Sequence, residues 1–118
     1  MASYKDLLVW QKSFLLAKEI YLLGQKLPKQ EIFGLISQIQ RSAVSIPSNL
    51  AEGYGRSHRK EFIQFVSISY GSATELETQI LLIQDIYQNI DCGLVLEHIV
   101  EVQKMLIGLL KKLRVNSS

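Results

Sequence analysis

Ile36, Ile39, Ala43, Ile46, Leu50 and Tyr54 recur in steps of three and four, the period of an α-helix that buries one face. At about 100° per residue, Arg41, Ser45, Asn49, Glu52 and Arg56 fall in a single stripe on the opposite side. Ordinary solvated faces are filled with Lys, Glu and Gln. This one carries a guanidinium, a hydroxyl, a carboxamide and a carboxylate, all able to make directional hydrogen bonds, and such a set suits contact with another polar surface.

Pro47 lies inside this pattern. An interior proline lacks its own N–H, deprives the carbonyl four residues back (Ala43) of its usual partner, and costs about 3 kcal/mol relative to alanine. Both stripes keep phase across Pro47, which favours a kinked but continuous helix over residues 31–54 rather than two helices broken at Ile46. Gly53-Tyr54-Gly55 is expected to close it, two glycines being able to adopt positive φ.

Three more helices follow from the same periodicity. The first, over residues 5–26, has two apolar stripes: Leu7, Trp10, Phe14, Ala17 and Tyr21 on one side, and Val9, Leu16, Ile20, Leu23 and Leu27 on another. Only the strip of Lys5, Lys12, Glu19 and Lys26 stays polar. A helix apolar around most of its circumference is buried on more than one side, which in a chain this short implies cover from another subunit. Leu27-Pro28 stops the helix, since a residue before proline is pushed out of the α region.

The third helix, residues 59–88 with Ser57 as its expected cap, carries a seam running from Phe62, Phe65 and Val66 through Ser69, Ala73, Leu76, Ile80 and Ile83 to Tyr87. Opposite lie Gln64, Ser67, Gly71, Glu75 and Thr78, small enough for another helix or chain to approach closely. The fourth, residues 92–114 with Asp91 as its cap, has the heptad seam Val95, Ile99, Val102, Leu106, Leu109 and Leu113. Lys111, Lys112 and Arg114 complement the negative end of its dipole. No segment offers a convincing strand run. Short connections therefore predict one all-α domain over residues 1–118, an antiparallel up-down-up-down four-helix bundle.

Several function classes fit poorly. Cys92 is alone, so no intrachain disulfide is possible, and no metal-ligand cluster or cofactor motif is visible. Neither His58 nor His98 follows a glutamate at the three-residue spacing of carboxylate-bridged metal sites. Gly53-x-Gly55 follows no strand and lacks the Lys-Ser of a phosphate-binding loop. Without an apolar run of about 20 residues or a signal-like start, the chain reads as a soluble cytoplasmic protein with no membrane contact, and not as an enzyme.

Charge is uneven. Residues 1–60 hold nine Lys or Arg against four Asp or Glu, whereas residues 61–118 hold four against seven. Arg56, His58, Arg59 and Lys60, at a helix start where backbone N–H groups also attract anions, are the candidate nucleic-acid contacts; a solvated turn is the competing reading. The stripe of Arg41, Ser45, Asn49 and Glu52, together with Gly71 and Glu75, is read as an oligomer interface or polar network. Direct contact with RNA phosphates is weakened there by Glu52, whose carboxylate repels the backbone and whose four-residue spacing to Arg56 makes a helical pair.

The motifs Gln40-Arg41-Ser42-Ala43, Ser45-Ile46-Pro47-Ser48-Asn49-Leu50-Ala51-Glu52-Gly53, Arg56 and Gly71-Ser72 followed by Glu75-Leu76-Glu77 resemble those of the intervening sequence proteins of bacterial 23S ribosomal RNA, also called the S23 ribosomal protein family. Leu50 and Ser42 are conservative departures from the commoner isoleucine and alanine. The resemblance covers nearly the whole chain. It implies a four-helix bundle that assembles into ring-like homo-oligomers, pentamers where described. It also implies kinship with retroelement accessory proteins that share the bundle and bind nucleic acid. The expected function is thus a non-enzymatic homo-oligomer that binds RNA through a basic surface. The alternative is an oligomeric scaffold that recruits a protein partner and has no nucleic-acid affinity.

Overall fold

The computed structural model describes residues 3–115. Four helices account for most of them: α1 (Leu8–Gly24), α2 (Leu35–Tyr54), α3 (Arg59–Ile86) and α4 (Gly93–Val115), with short 3-10 turns at Tyr4–Asp6 and Lys29–Glu31. Among the described residues there is no strand. Each helix packs on two neighbours, in the order α1, α2, α3, α4 and back to α1, and the bundle measures 48 × 20 × 19 Å.

Side-chain contacts fix the helix directions. Ser45 of α2 meets Ser72 of α3, while Gly53 near the end of α2 lies against Phe62 and Phe65 near the start of α3. Gln103 of α4 donates to Glu77 of α3, and Lys12 and Glu19 of α1 reach Glu101 and His98 of α4 respectively. Each pair runs antiparallel. One end of the rod thus gathers the start of α1, the end of α2, the start of α3 and the end of α4.

The core is aliphatic. Leu16 and Ile20 from α1, Ile39, Ile46 and Leu50 from α2, Leu76, Ile80 and Ile83 from α3, and Ile99 and Leu106 from α4 are almost completely buried. Each contributes about 1.5–3 kcal/mol relative to an exposed position. Apart from half-buried Ile36, the aliphatic and small members of the expected seams of α2 and α3 are buried, while Tyr54, Phe62, Phe65 and Tyr87 at their ends are half-buried. In α4, Leu110 takes the buried position expected of Leu109.

Several local expectations need correction. Two helices start later than their periodicity suggests, because 3-10 turns occupy their expected first residues. Gly34, at φ −113° and ψ −113°, separates the second turn from α2. Ser57 does not cap α3; His58 holds the extended N-cap position without a side-chain bond. Asp91 lies one residue before the N-cap position expected of it, since α4 begins at Gly93, but its Oδ1 still accepts from the Gly93 N–H at 3.0 Å.

No described glycine has positive φ, so Gly53 serves a different purpose from the one expected. A Cβ at Gly53 would stand 2.5 Å from the Phe65 Cβ and 3.0 Å from Phe62 Cδ1; glycine there lets α2 and α3 meet. α2 passes through Pro47 unbroken. The extra donors sit not at Ala43 but within one turn of it, where Asn49 Nδ2 donates to the Ser45 carbonyl at 2.8 Å and Ser69 Oγ to the Ile46 carbonyl at 2.9 Å.

Of the two apolar stripes on α1, the core takes one whole and only part of the other, in which Leu7 is buried and Trp10 and Ala17 are half-buried. Val9, Leu16, Ile20 and Leu23 are buried, whereas Phe14 is 47% and Tyr21 46% exposed. Leu8, Leu15 and Leu22, one heptad apart, form a further exposed apolar row.

Candidate nucleic-acid and subunit surfaces

The polar stripe on α2 lies along its junction with α3. Asn49 Nδ2 donates to the Ser45 hydroxyl at 2.9 Å, and that hydroxyl is 2.8 Å from the Ser72 hydroxyl. One turn further on, Glu52 accepts from Arg56 at 3.3 Å, and the Arg56 guanidinium lies 5.0 Å from the centre of the Phe65 ring. Four of the five stripe residues are therefore hydrogen-bonded within the protomer, and the contact of Ser45 with Ser72 joins two helices.

The fifth, Arg41, faces outward with Gly71 and Glu75 of α3. Arg41 is exposed and has no ion pair among the described residues. Glu75, nearly level with Arg41 in the α2/α3 register set by Ser45 and Ser72, is exposed as well. Gly71 stands open: a Cβ added to it would meet nothing within 4 Å, so any close approach there comes from outside the protomer. Glu52, Glu75 and Glu77 do not gather into an acid cluster: Glu52 pairs with Arg56 and Glu77 with Gln103. Among the described residues no group of three or more His, Cys, Asp or Glu is placed to hold a metal ion. Nor is any described helix long and apolar enough to cross a membrane.

Arg56, His58, Arg59 and Lys60 are all exposed, in the turn after α2 and the first turn of α3. The antiparallel arrangement brings the end of α4, with Lys111, Lys112 and Arg114, to the same end of the rod. Proximity of these two basic segments was not legible from either segment alone.

Sequence reasoning did not find the contacts that tie the rest together. Tyr87 donates its hydroxyl to Glu31 Oε2, and Glu31 Oε1 accepts from the Leu35 N–H at 3.4 Å, pinning the first turn of α2 to the end of α3. The neighbouring carboxylate, through that hydrogen bond first, holds the Tyr87 hydroxyl above its ordinary pKa. Gln79 is buried, and its side-chain oxygen has no partner among the described residues. A tyrosine at the end of an apolar seam was the available signal for the first; nothing in the spacing marked the second.

An apolar groove of about 570 Å3 runs between α1 and α2, lined by Trp10, Phe14, Tyr21, Val44, Pro47 and Ala51 among others. Trp10 and Phe14 stack across 5.1 Å.

Four amphipathic helices, a polar stripe on α2 and a basic end define a small helical-bundle protein whose distinctive side chains lie on its outer surface. The family model described as 23S rRNA-intervening sequence protein matches residues 5–108, and the chain belongs to that family. A crystal structure of a protein with unknown function from the S23 ribosomal protein family of Bacteroides thetaiotaomicron is similar. It shares 29% sequence identity, covers 88% of this chain and 99% of its own, and superposes with a TM-score of 0.81. No curated protein matches the chain.

Proposed function

We propose that this protein is a non-enzymatic, cytoplasmic homo-oligomer, a ring of five by family resemblance, that binds structured RNA through its basic end. The observation that carries the nucleic-acid reading is the exposure of Arg56, His58, Arg59 and Lys60 together at one turn. Among the described residues only Arg56 of these is held by a neighbouring acid, and backbone N–H groups at the start of α3 add to their attraction for phosphate. Self-assembly is supported by the exposed rows on α1 and by Ile68, Leu81, Leu82 and Ile86 on α3, each about half exposed. Surfaces of this kind mark association sites when they are contiguous, and repeating a basic patch around an axis multiplies weak contacts.

Binding to a structured RNA measured across salt concentrations tests the first part: phosphate contacts make affinity fall steeply as salt rises, and no binding at low salt overturns it. Molar mass in solution tests the second. Arg41→Ala lowers that mass if the outward end of the stripe lies between subunits, and leaves it unchanged if Arg41 contacts RNA instead.

The aromatic groove between α1 and α2 favours a second reading, an oligomeric scaffold that recruits a protein partner. Co-purification of a protein without RNA distinguishes it.

A further inference from the structure

The nucleic-acid reading above starts from residues 56–60; the structure extends it along a second helix. Lys60, Gln64, Ser67 and Gly71 fall in one row on α3, in steps of four, three and four. Lys104, Ile107, Lys111 and Arg114 fall in a row on α4, in steps of three, four and three. Ser67 of the first row and Ile107, Lys111 and Arg114 of the second line, with Tyr70 and Leu110, a groove of about 340 Å3. Its polar rim holds the Lys111 ammonium and the Ser67 and Tyr70 hydroxyls beside Arg114, and its apolar part is Ile107 and Leu110.

Cations outnumber acids around it, the acids being Glu61 towards the rod end and Glu75 and Glu77 beyond Gly71. Residues 102–115 include Lys104, Lys111, Lys112 and Arg114 and no acid; residues 59–71 include one acid, Glu61, set about 100° round the helix from Lys60. Compensation of helix dipoles does not explain this. It accounts for cations in the last turn of α4, but Lys104 lies well before that turn, and Arg59 and Lys60 occupy the first turn of α3, where the dipole favours acids. The α4 row is about 10 Å long between its two lysines, at 1.5 Å per residue.

We propose that this α3/α4 groove is a binding site for the phosphodiester backbone of RNA, continuous with Lys60 and Arg59 at the rod end. Cations supply the phosphate contacts, the Ser67 and Tyr70 hydroxyls supply directional donors, and Ile107 with Leu110 gives the sugar an apolar surface to lie against. The inference rests on the nucleic-acid reading and shares Arg59 and Lys60 with it, but Lys111 and Ser67 belong to the groove alone, so variants there let the two fail separately.

The test uses the full chain and a fluorescently labelled structured RNA, titrated at several chloride concentrations. Variants are Lys111→Gln, Ser67→Asp and, for comparison, Arg59→Gln with Lys60→Gln. Lys111 is exposed, so its replacement leaves the fold intact, which circular dichroism and molar mass verify. The expected result is a weaker affinity for Lys111→Gln, with the slope of log K against log salt reduced by about one, and a loss on the order of tenfold or more for Ser67→Asp, whose carboxylate repels phosphate. If both variants bind like the parent while the Arg59/Lys60 variant does not, the groove assignment is overturned and the rod-end reading survives. If the parent binds no RNA, both fall. Inorganic phosphate added at matched ionic strength provides the last arm: displacement of RNA by it would make the groove a free-phosphate site and reject the backbone assignment, whereas no displacement beyond that of chloride supports it.

Discussion

Nδ1 of His98 on α4 lies 2.6 and 2.8 Å from the two carboxylate oxygens of Glu19 on α1. Two turns of α1 away, the ammonium of Lys12 stands 3.4 Å from Glu101. These two pairs link α1 to α4, the helices that no short connection joins. Both are partly exposed, so solvent screens them and each contributes about 0.2–1 kcal/mol. A double-mutant cycle on His98→Ala and Glu19→Ala, read by urea denaturation, should give a coupling in that range. A coupling of zero would show the contact to be incidental.

Gly53 and Gly71 predict opposite responses to the same change. Alanine at Gly53 would force its Cβ into the Phe65 side chain, and overpacking of this kind costs about 1–3 kcal/mol, more than the ~1 kcal/mol of helix propensity regained. Alanine at Gly71 meets nothing within 4 Å, so the propensity gain stands alone and the isolated protomer becomes more stable. Chemical denaturation of both variants decides the matter. Equal effects would mean that α2 and α3 do not approach as closely as Gly53 indicates.

The fold was legible because three-and-four spacing survives even where local chemistry opposes it, as at Pro47. Both stripes kept phase there, and α2 is unbroken. What spacing could not reveal was the use of each break. Gly53 reads as a terminator by composition, yet it is a contact point, a distinction that depends on Phe62 and Phe65 from a helix not yet placed. The same holds for the surfaces. Periodicity showed that α1 has two apolar stripes; only packing shows that Phe14 and Tyr21 of one are left open while the other, with Leu16 and Ile20, fills the core.

Tyr87 ought to be the late tyrosine in an alkaline titration. Its hydroxyl donates to the Glu31 carboxylate, which raises its pKa above the ordinary 10.0. A raised folded-state pKa means that the contribution to stability is fully present below pH 10.0 and is lost as pH climbs through the higher folded value. Ultraviolet titration should show one tyrosine ionising after the rest, and Tyr87→Phe should remove that step. Retention of the step in the variant would assign it elsewhere.

Cys92 is 1% exposed between α3 and α4. Burial, reinforced by the adjacent Asp91 and opposed by Lys26, pushes its thiol pKa up. The thiolate is the reactive form, so labelling by a thiol reagent near neutral pH should be slow and governed by local opening of the loop before α4. Denaturant should accelerate it on the order of tenfold or more, as the opened population grows. Rapid labelling of the native protein would mean that this end of the bundle opens readily.

Leu15 and Leu22 are 53% and 60% exposed, on a helix whose other apolar side is already packed. If the protomer were the working form, replacing both by serine would change stability by no more than about 0.5 kcal/mol and would improve solubility. If copies cover this row, the same double variant gives up buried apolar contact at every interface, at roughly 25 cal/mol per Å2, and assembly fails before folding does. The expected outcome is a lower molar mass by light scattering with an unchanged helical circular dichroism spectrum. The changed mass and intact fold must occur together, since a variant that loses both would mean the leucines support the protomer itself. A parent that is already monomeric at high concentration would remove the basis for self-assembly altogether.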